Sequence, residues 1–211
     1  MSRSPLMRLY WSSRSPFVRK AMVAAHETGA ISDIETIRVE VAAAKLNAEV
    51  MGRNPLNKIP TLVLASGEAL FDSHVICEYL DSLSAGPKLF PPAGPDRWTA
   101  LRREAVGNGI MEYGVARIGE NFRPMEIQSQ PHLAAFKTKI ASALDYLEAD
   151  APALAAAPFN IGHLTIGCAL SYLDFRFATD NWRDGRPRLA AWHSTFDQRP
   201  SVRQTAHADI Y

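Results

Sequence analysis

Residues 12–20, SSRSPFVRK, decide how the first part of this chain folds. They follow the apolar run LMRLYW, which predicts a strand, and they open a helical pattern that continues to about residue 28. Serine followed by proline favours a helix start, because the serine hydroxyl accepts an amide hydrogen bond and proline has no amide hydrogen to leave unpaired. A helix is therefore predicted to begin at Ser15 and Pro16.

Outward from this turn, the first half continues in short strands and helices. Strands are predicted at IETIRV (34–39), TLVLA (61–65) and ALF (69–71), and helices at 41–52 and 73–83. The resulting order is βαβαββα. Such an alternation predicts a small sheet covered by helices.

The second half has a different texture. The stretch 85–95 is rich in proline and predicts an extended linker. Beyond it strand signals vanish, and apolar residues such as Leu133, Phe136 and Ile140 recur at helical spacing. We therefore expect one domain over residues 1–84, a linker over 85–95 and an all-helical domain over 96–211.

Composition narrows the function classes. The chain has 211 residues, 47% hydrophobic and 21% charged, with a net charge of +1 and scattered lysines and arginines. This balance argues against a nucleic-acid or anionic-membrane partner, and the N-terminus lacks the apolar core of a signal peptide. Cys77 and Cys168 form no Cys-x-x-Cys pair and lie in apolar helical patterns, which predicts buried free thiols. We expect a cytoplasmic protein with no metal site.

The element order and three motifs carry a resemblance to a known family. SPFVRK, NPLNKIPTLV (54–63) and LFDSHVICEYLD (70–81), followed by a helical half, resemble the cytosolic glutathione S-transferases, in particular a bacterial, serine-type branch. The resemblance spans nearly the whole chain. It implies an α/β thioredoxin-like N-terminal domain that binds glutathione and an all-α C-terminal helical domain that binds the electrophile.

The same resemblance implies a reaction and a site. Glutathione would be the co-substrate, and its thiolate would attack a small electrophile. Ser15 would be the catalytic residue, donating a hydrogen bond to the thiolate at the positive end of a helix. The implied glutathione-binding residues are Lys58, Ile59, Pro60, Asp72 and Ser73. Pro60 matches the family's cis-proline, whose preceding residue, Ile59, would pair with the cysteinyl backbone.

Structural roles compete with these assignments. Ser15 could serve only as a helix cap, and Ser12 or Ser13 could be the activating hydroxyl instead. Arg19 and Lys20 are expected to be helix-surface or structural charges. The family's Ser/Thr-x-x-Asp helix start in the second domain would correspond to TIGC (165–168), with a cysteine where the aspartate is expected.

Electrophile contacts are predicted at Phe17, Met111 and Tyr113, although methionine and aromatic residues on a helix are more often core. Two other functions stay open. The protein could bind glutathione or an apolar ligand without catalysis, or act as a glutathione-dependent thiol reductase, which a serine in place of cysteine disfavours. The family also implies a homodimer with a small-molecule electrophile as partner.

Overall fold

The structure, a computed structural model, describes residues 7–209 and separates into two units. The first unit reaches Pro91 and also includes the chain from Gln204 onward, and the second unit is Pro92–Arg203. The predicted fold class, an α/β domain followed by a helical one, is confirmed. The division falls within the predicted linker. The segment after Arg203 groups with the first unit, whereas the sequence placed it in the helical domain.

The first unit contains four strands and three α-helices within the described residues. They are β1 (Met7–Trp11), α1 (Pro16–Glu27), β2 (Ile34–Arg38), α2 (Ala48–Met51), β3 (Thr61–Val63), β4 (Ala69–Leu70) and α3 (Ser73–Leu83), with a 3₁₀ turn at Ala30–Asp33. The sheet order is β2-β1-β3-β4. β1 is parallel to β2 and antiparallel to β3, and β4 is antiparallel to β3.

Burial explains why these segments hold together. Leu9 and Tyr10 of β1 point to opposite faces of the sheet and are both buried, which is typical of a central strand covered on two sides. Tyr10 packs in a cluster with Val39, Val50 and Val63. Val50 belongs to α2, so this short helix covers one face of the sheet.

The predicted helix over 41–52 is wrong for most of its length. The chain forms an isolated bridge between Ala42 and Lys45, and the helix begins only after Asn47, whose side chain accepts hydrogen bonds from the amides of Glu49 and Val50. The alanines at 42–44 are exposed. A short helix without a buried face is marginal, because few hydrogen bonds offset its nucleation cost.

The predicted linker is partly folded. Asp81, buried at the end of α3, accepts hydrogen bonds from the amides of Leu89 at 2.6 Å and Phe90 at 3.2 Å. Both of these residues are buried in the first unit. The chain is therefore fixed to the first unit almost as far as Pro91, where the unit ends.

The second unit is helical, as predicted. Its helices are α4 (Pro95–Asn121), α5 (Gln130–Ala156), α6 (Ile161–Phe177), α7 (Pro187–Phe196) and α8 (Pro200–Arg203), with 3₁₀ turns at Met125–Ile127 and Ala178–Asp180. α6 is buried along nearly its whole length and packs mainly on α4. Close approach requires glycine at this contact, since a Cβ on Gly107 would lie 2.9 Å from Thr165.

The start of α6 differs from the predicted one. Asn160 caps the helix and forms a capping box with His163, whose Nδ1 accepts from the Asn160 amide at 3.3 Å. The TIGC assignment is wrong: Thr165 lies inside the helix and donates to the carbonyl of Ile161, and Cys168 is buried further along. Burial, reinforced by nearby arginines, lowers the pKa of His163.

Both cysteines are buried thiols that form no disulfide, as predicted from their apolar surroundings. Across residues 7–209, none of the helices combines the length and apolar character needed to cross a membrane. In the same part of the chain, no group of three or more histidine, cysteine or acidic side chains could hold a metal ion.

Candidate functional site

Strand directions bring the predicted glutathione residues of the first unit to one edge of the sheet. Tyr10, near the end of β1, pairs with Thr61 at the start of β3, and Leu62 pairs with Leu70 at the end of β4. The turn after β1, the loop before β3 and the connection after β4 therefore meet at the same edge. α1 and α3 also begin there, so two helix N-termini offer their positive dipole ends to a bound anion.

Ser15 occupies the N-cap of α1. Its Oγ accepts a hydrogen bond from the amide of Val18 at 3.3 Å, with Pro16 as the first helical residue. A hydroxyl that accepts in this way keeps its own hydrogen, which can be donated elsewhere. Capping the helix and donating to a thiolate are thus compatible roles for the same side chain.

The neighbouring serines differ from Ser15 in how their hydroxyls are used. Ser13 donates its hydroxyl hydrogen to the carbonyl of Ala208 at 2.8 Å, which leaves it no hydrogen for a second acceptor. Ser12 accepts from the amide of Arg14 at 3.4 Å and keeps its hydrogen. Of the three, Ser15 is the one that caps the helix.

The loop before β3 is held by a buried asparagine that sequence reasoning assigned no role. Asn54 donates through Nδ2 to the Lys58 carbonyl at 3.1 Å and to Thr61 Oγ1 at 3.0 Å. Thr61 in turn donates to the Lys58 carbonyl at 2.9 Å. These bonds fix the segment that carries Ile59. The Ile59–Pro60 peptide is cis, as the family resemblance implied.

Exposure divides this loop into two parts. Pro60 is buried, Ile59 is half-buried and the Lys58 side chain is exposed. Lys58 can therefore swing toward a ligand carboxylate, whereas the backbone beside Pro60 is fixed. The sequence does contain a signal for Asn54, because this asparagine is the first residue of the NPLNKIPTLV motif and directly precedes Pro55.

Asp72 and Ser73 divide the roles at the start of α3. Asp72 is the N-cap and accepts from the amide of His74 at 3.0 Å, while its side chain remains exposed. Ser73 is the first helical residue and is buried. An exposed carboxylate next to a helix N-terminus presents an anion and amide donors within two residues, which suits a zwitterion.

Two basic residues of α1, Arg19 and Lys20, are buried, so the expectation that they are helix-surface charges is wrong. Arg19 is 7% exposed and Lys20 has no exposed area. The buried sulfur of Cys77 approaches the Lys20 carbonyl at 3.9 Å. Both basic side chains lie in the first two turns of the helix that Ser15 caps, so neither is a helix-surface charge.

The electrophile candidates lie in both units. Phe17 is half-buried in the first turn of α1. Met111 of α4 has no exposed area and is a core side chain of the helical unit. Tyr113 stacks on Phe136 with centroids 6.0 Å apart and lies 5.0 Å beneath Lys139 Nζ. Tyr113 lines an open groove of about 590 Å³ between α4 and α5.

A Ser-His-Asp arrangement in the helical unit is structural. Ser171 Oγ lies 3.0 Å from His193 Nε2, and Asp197 Oδ2 lies 3.4 Å from Nδ1 of the same ring. However, the Ser171 hydroxyl donates to the Gly167 carbonyl at 2.9 Å, so its oxygen can only accept from the histidine. A general base must instead accept the serine hydrogen. Both side chains are also buried, and they join α6 to α7.

The first unit has a mixed four-stranded sheet in the order β2-β1-β3-β4, with two helix N-termini at one edge, and a helical unit follows it in the sequence. These features define a thioredoxin-like domain joined to a helical domain. Family profiles agree with that class. Residues 14–83 match the glutathione S-transferase N-terminal domain, and residues 130–194 match the glutathione S-transferase C-terminal domain. The chain belongs to the glutathione S-transferase family.

Individual relatives resemble this chain over nearly its full length. It is 32% identical to the uncharacterized GST-like protein YibF of Escherichia coli K12, over 94% of this chain and 98% of that protein. A glutathione transferase family member from Pseudomonas fluorescens Pf-5, solved with bound glutathione, is 38% identical with a TM-score of 0.94 over 96% of this chain and 99% of that one.

A glutathione S-transferase from Methylobacillus flagellatus KT, also solved with glutathione, is 31% identical with a TM-score of 0.86. The match covers 96% of this chain and 100% of that one.

Proposed function

We propose that this protein binds glutathione at the described edge of the sheet and transfers its thiolate to a small electrophile. The observation that carries the proposal is the meeting of three segments at that edge: the Ser15 turn, the Ile59–Pro60 loop and the Asp72–Ser73 helix start. The relatives from Pseudomonas fluorescens and Methylobacillus flagellatus, which were solved with glutathione, support the choice of ligand.

Ser15 would act as a hydrogen-bond donor to the glutathione thiolate. A free thiol has a pKa of about 8.5, so only a few per cent is thiolate at neutral pH. A hydroxyl donor at the N-terminus of α1 stabilises the anion and raises that fraction. Ser15 keeps its hydroxyl hydrogen available while it caps the helix, whereas Ser13 uses its own for Ala208. These facts support Ser15 over Ser13.

The remaining residues would bind the rest of the tripeptide. The Ile59 backbone, which Pro60 follows, would pair with the cysteinyl part, and the exposed Lys58 would meet a carboxylate. Asp72 would take the γ-glutamyl ammonium, and the Ser73 hydroxyl with the α3 amides would take the neighbouring carboxylate. Each of these groups has the charge or donor that its partner on glutathione requires.

Phe17, half-buried in the first turn of α1, would be the electrophile contact in the first unit. Tyr113, on the groove between α4 and α5, is a separate candidate within the helical unit. The Pseudomonas fluorescens transferase, at 37% identity, was also solved with S-(propanoic acid)-glutathione, a thioether that carries a carboxylate. Small acids that form such thioethers are therefore the first electrophiles to test. The thiolate would add to the β-carbon of acrylate, whose α-carbon then takes a proton from solvent, or it would displace chloride from 2-chloropropanoate. Conjugation of reactive electrophiles by this route would make the protein a detoxifying transferase.

We also propose a homodimer in the cytoplasm. Most symmetric oligomers are two-fold dimers, and two buried cysteines that form no disulfide are typical of a reducing compartment. Sedimentation at micromolar concentration should give about twice the chain mass. A monomer would contradict the dimer without affecting the proposed chemistry.

The experiment that tests the proposed function separates binding from turnover. Calorimetry with glutathione should show one site per chain, and a panel of acrylate, 2-chloropropanoate and a neutral aryl chloride should then show thioether formation with at least one member. Binding without turnover of any electrophile would favour the non-catalytic alternative. Disulfide exchange in place of thioether formation would favour a thiol reductase, and absence of glutathione binding would refute the proposal.

A further inference from the structure

The turn that carries Ser15 is tied to the other end of the chain. Ser13 donates through Oγ to the Ala208 carbonyl at 2.8 Å, and the Ala208 amide donates back to the Ser13 carbonyl at 3.4 Å. His207 Nδ1 lies 3.1 Å from the same Ser13 carbonyl. Since a carbonyl oxygen can only accept, the His207 ring must carry its hydrogen on Nδ1 in this contact.

These contacts act on a very short connection. Four residues, 12–15, join β1 to α1, and the Ser15 amide closes them into a turn by donating to the Ser12 carbonyl at 3.3 Å. Ser13 is a central residue of that turn. A movement at Ser13 therefore changes the backbone that sets the direction of the Ser15 hydroxyl.

We propose that Ser13, together with the C-terminal segment (residues 204–209), positions Ser15 for hydrogen bonding to the glutathione thiolate. This inference rests on the proposed function of Ser15. Loops with few anchoring bonds open readily, and a donor must be held within about half an ångström of its productive place to act fully on a charged partner. The C-terminal segment supplies three anchoring contacts from a part of the sequence 194 or 195 residues away.

Two contacts can be removed by single substitutions. Ser13→Ala removes the bond to the Ala208 carbonyl, and His207→Ala removes the imidazole contact, while both leave Ser15 in place. Ser13→Thr keeps a hydroxyl and serves as the conservative replacement. The matched control is Ser82→Ala, because Ser82 also donates its hydroxyl to a backbone carbonyl, that of Tyr79, on the exposed side of α3.

The readout is the rate at which enzyme-bound glutathione is alkylated by iodoacetamide across pH, since it reports thiolate reactivity without the natural electrophile. Ser13→Ala and His207→Ala should each lower the rate at neutral pH by roughly threefold, and together by about tenfold, with glutathione affinity unchanged. Ser13→Thr should restore the rate, and Ser82→Ala should leave it at the level of the parent protein.

A double-mutant cycle with Ser15→Ala decides whether Ser13 acts through Ser15. If it does, Ser13→Ala should have no further effect once Ser15 is alanine. Equal effects of Ser13→Ala in both backgrounds would overturn the positioning role, as would a loss of thermal stability with unchanged alkylation. If Ser15→Ala itself changes nothing, the failure lies in the proposed role of Ser15.

Discussion

Asp72→Asn is the substitution that most sharply separates recognition of glutathione from support of the fold. Asp72 caps α3 through the amide of His74, so an alanine would remove the cap and the charge together. Asparagine caps helices about as well as aspartate and is neutral. Asp72→Asn should therefore keep α3 intact and remove only the anion that we assign to the γ-glutamyl ammonium.

The magnitude follows from the charge and the exposure of this side chain. A hydrogen bond to a charged group contributes about 1.5 to 3 kcal/mol, and the exposed position of Asp72 puts the expected value at the lower end because water screens the pair. A loss of about 1.5 kcal/mol raises the dissociation constant for glutathione roughly tenfold. The alanine variant should bind no better and should also unfold about 0.5 to 2 kcal/mol more easily.

Calorimetric titration with glutathione and with cysteinylglycine tests this assignment, since the second ligand lacks the γ-glutamyl group. Only glutathione should lose affinity in Asp72→Asn. Glu78→Gln, which removes the same charge six residues further along the chain, in the second turn of α3, is the matched control and should leave both affinities unchanged. Equal losses for the two ligands would show that Asp72 maintains the loop and does not read the γ-glutamyl end.

Two further predictions concern stability. Gly107→Ala should destabilise the protein by about 1 to 3 kcal/mol relative to Gly109→Ala, because an added Cβ meets Thr165 at position 107 and nothing within 4 Å at position 109. Urea unfolding of the two variants measures the difference. Equal stability would contradict the tight α4–α6 contact. Burial lowers the pKa of His163 below its ordinary value of about 6.5, so the unfolded chain gains a proton that the folded chain does not, and the free energy of unfolding should fall as pH drops below that value. His163→Gln should reduce this pH dependence. Part of it should remain, because burial also lowers the pKa of His26. If the free energy of unfolding changes equally between pH 7 and pH 5 in both proteins, His163 is not a source of the dependence.

The parts of the site that the sequence predicted are those with local signals. A serine and a proline together indicate the start of α1, and the elements around them follow from strand and helix periodicity. The start of α6 lacks such a signal, because its capping box is built from Asn160 and His163 where a serine or threonine followed by an aspartate is the expected pattern. Local patterns also gave no reason to expect that Lys20 would be fully buried, since burial of a lysine is decided by how distant elements pack around it.

The contacts between Ser13 and the C-terminal segment lie beyond sequence reasoning for the same reason. Nothing in SSRSPF or in QTAHAD indicates a partner, and a separation of 195 residues between Ser13 and Ala208 leaves no periodicity to read. The alanine-rich stretch at 42–44 has a local signal that predicts the wrong structure. Its helix propensity is high, but no buried face is available to stabilise a helix there.

Titration of bound glutathione by its thiolate absorbance, in the parent protein and in Ser15→Ala, tests the central claim most directly. In the parent protein the thiol should ionise well below its ordinary pKa of about 8.5, and in Ser15→Ala the midpoint should move about 1 to 2 pH units higher, as expected for the loss of one hydrogen bond to a charged sulfur. The dissociation constant for glutathione, measured on the same samples, should change much less. An identical midpoint in the two proteins would mean that Ser15 only caps α1 and that the thiolate is stabilised elsewhere.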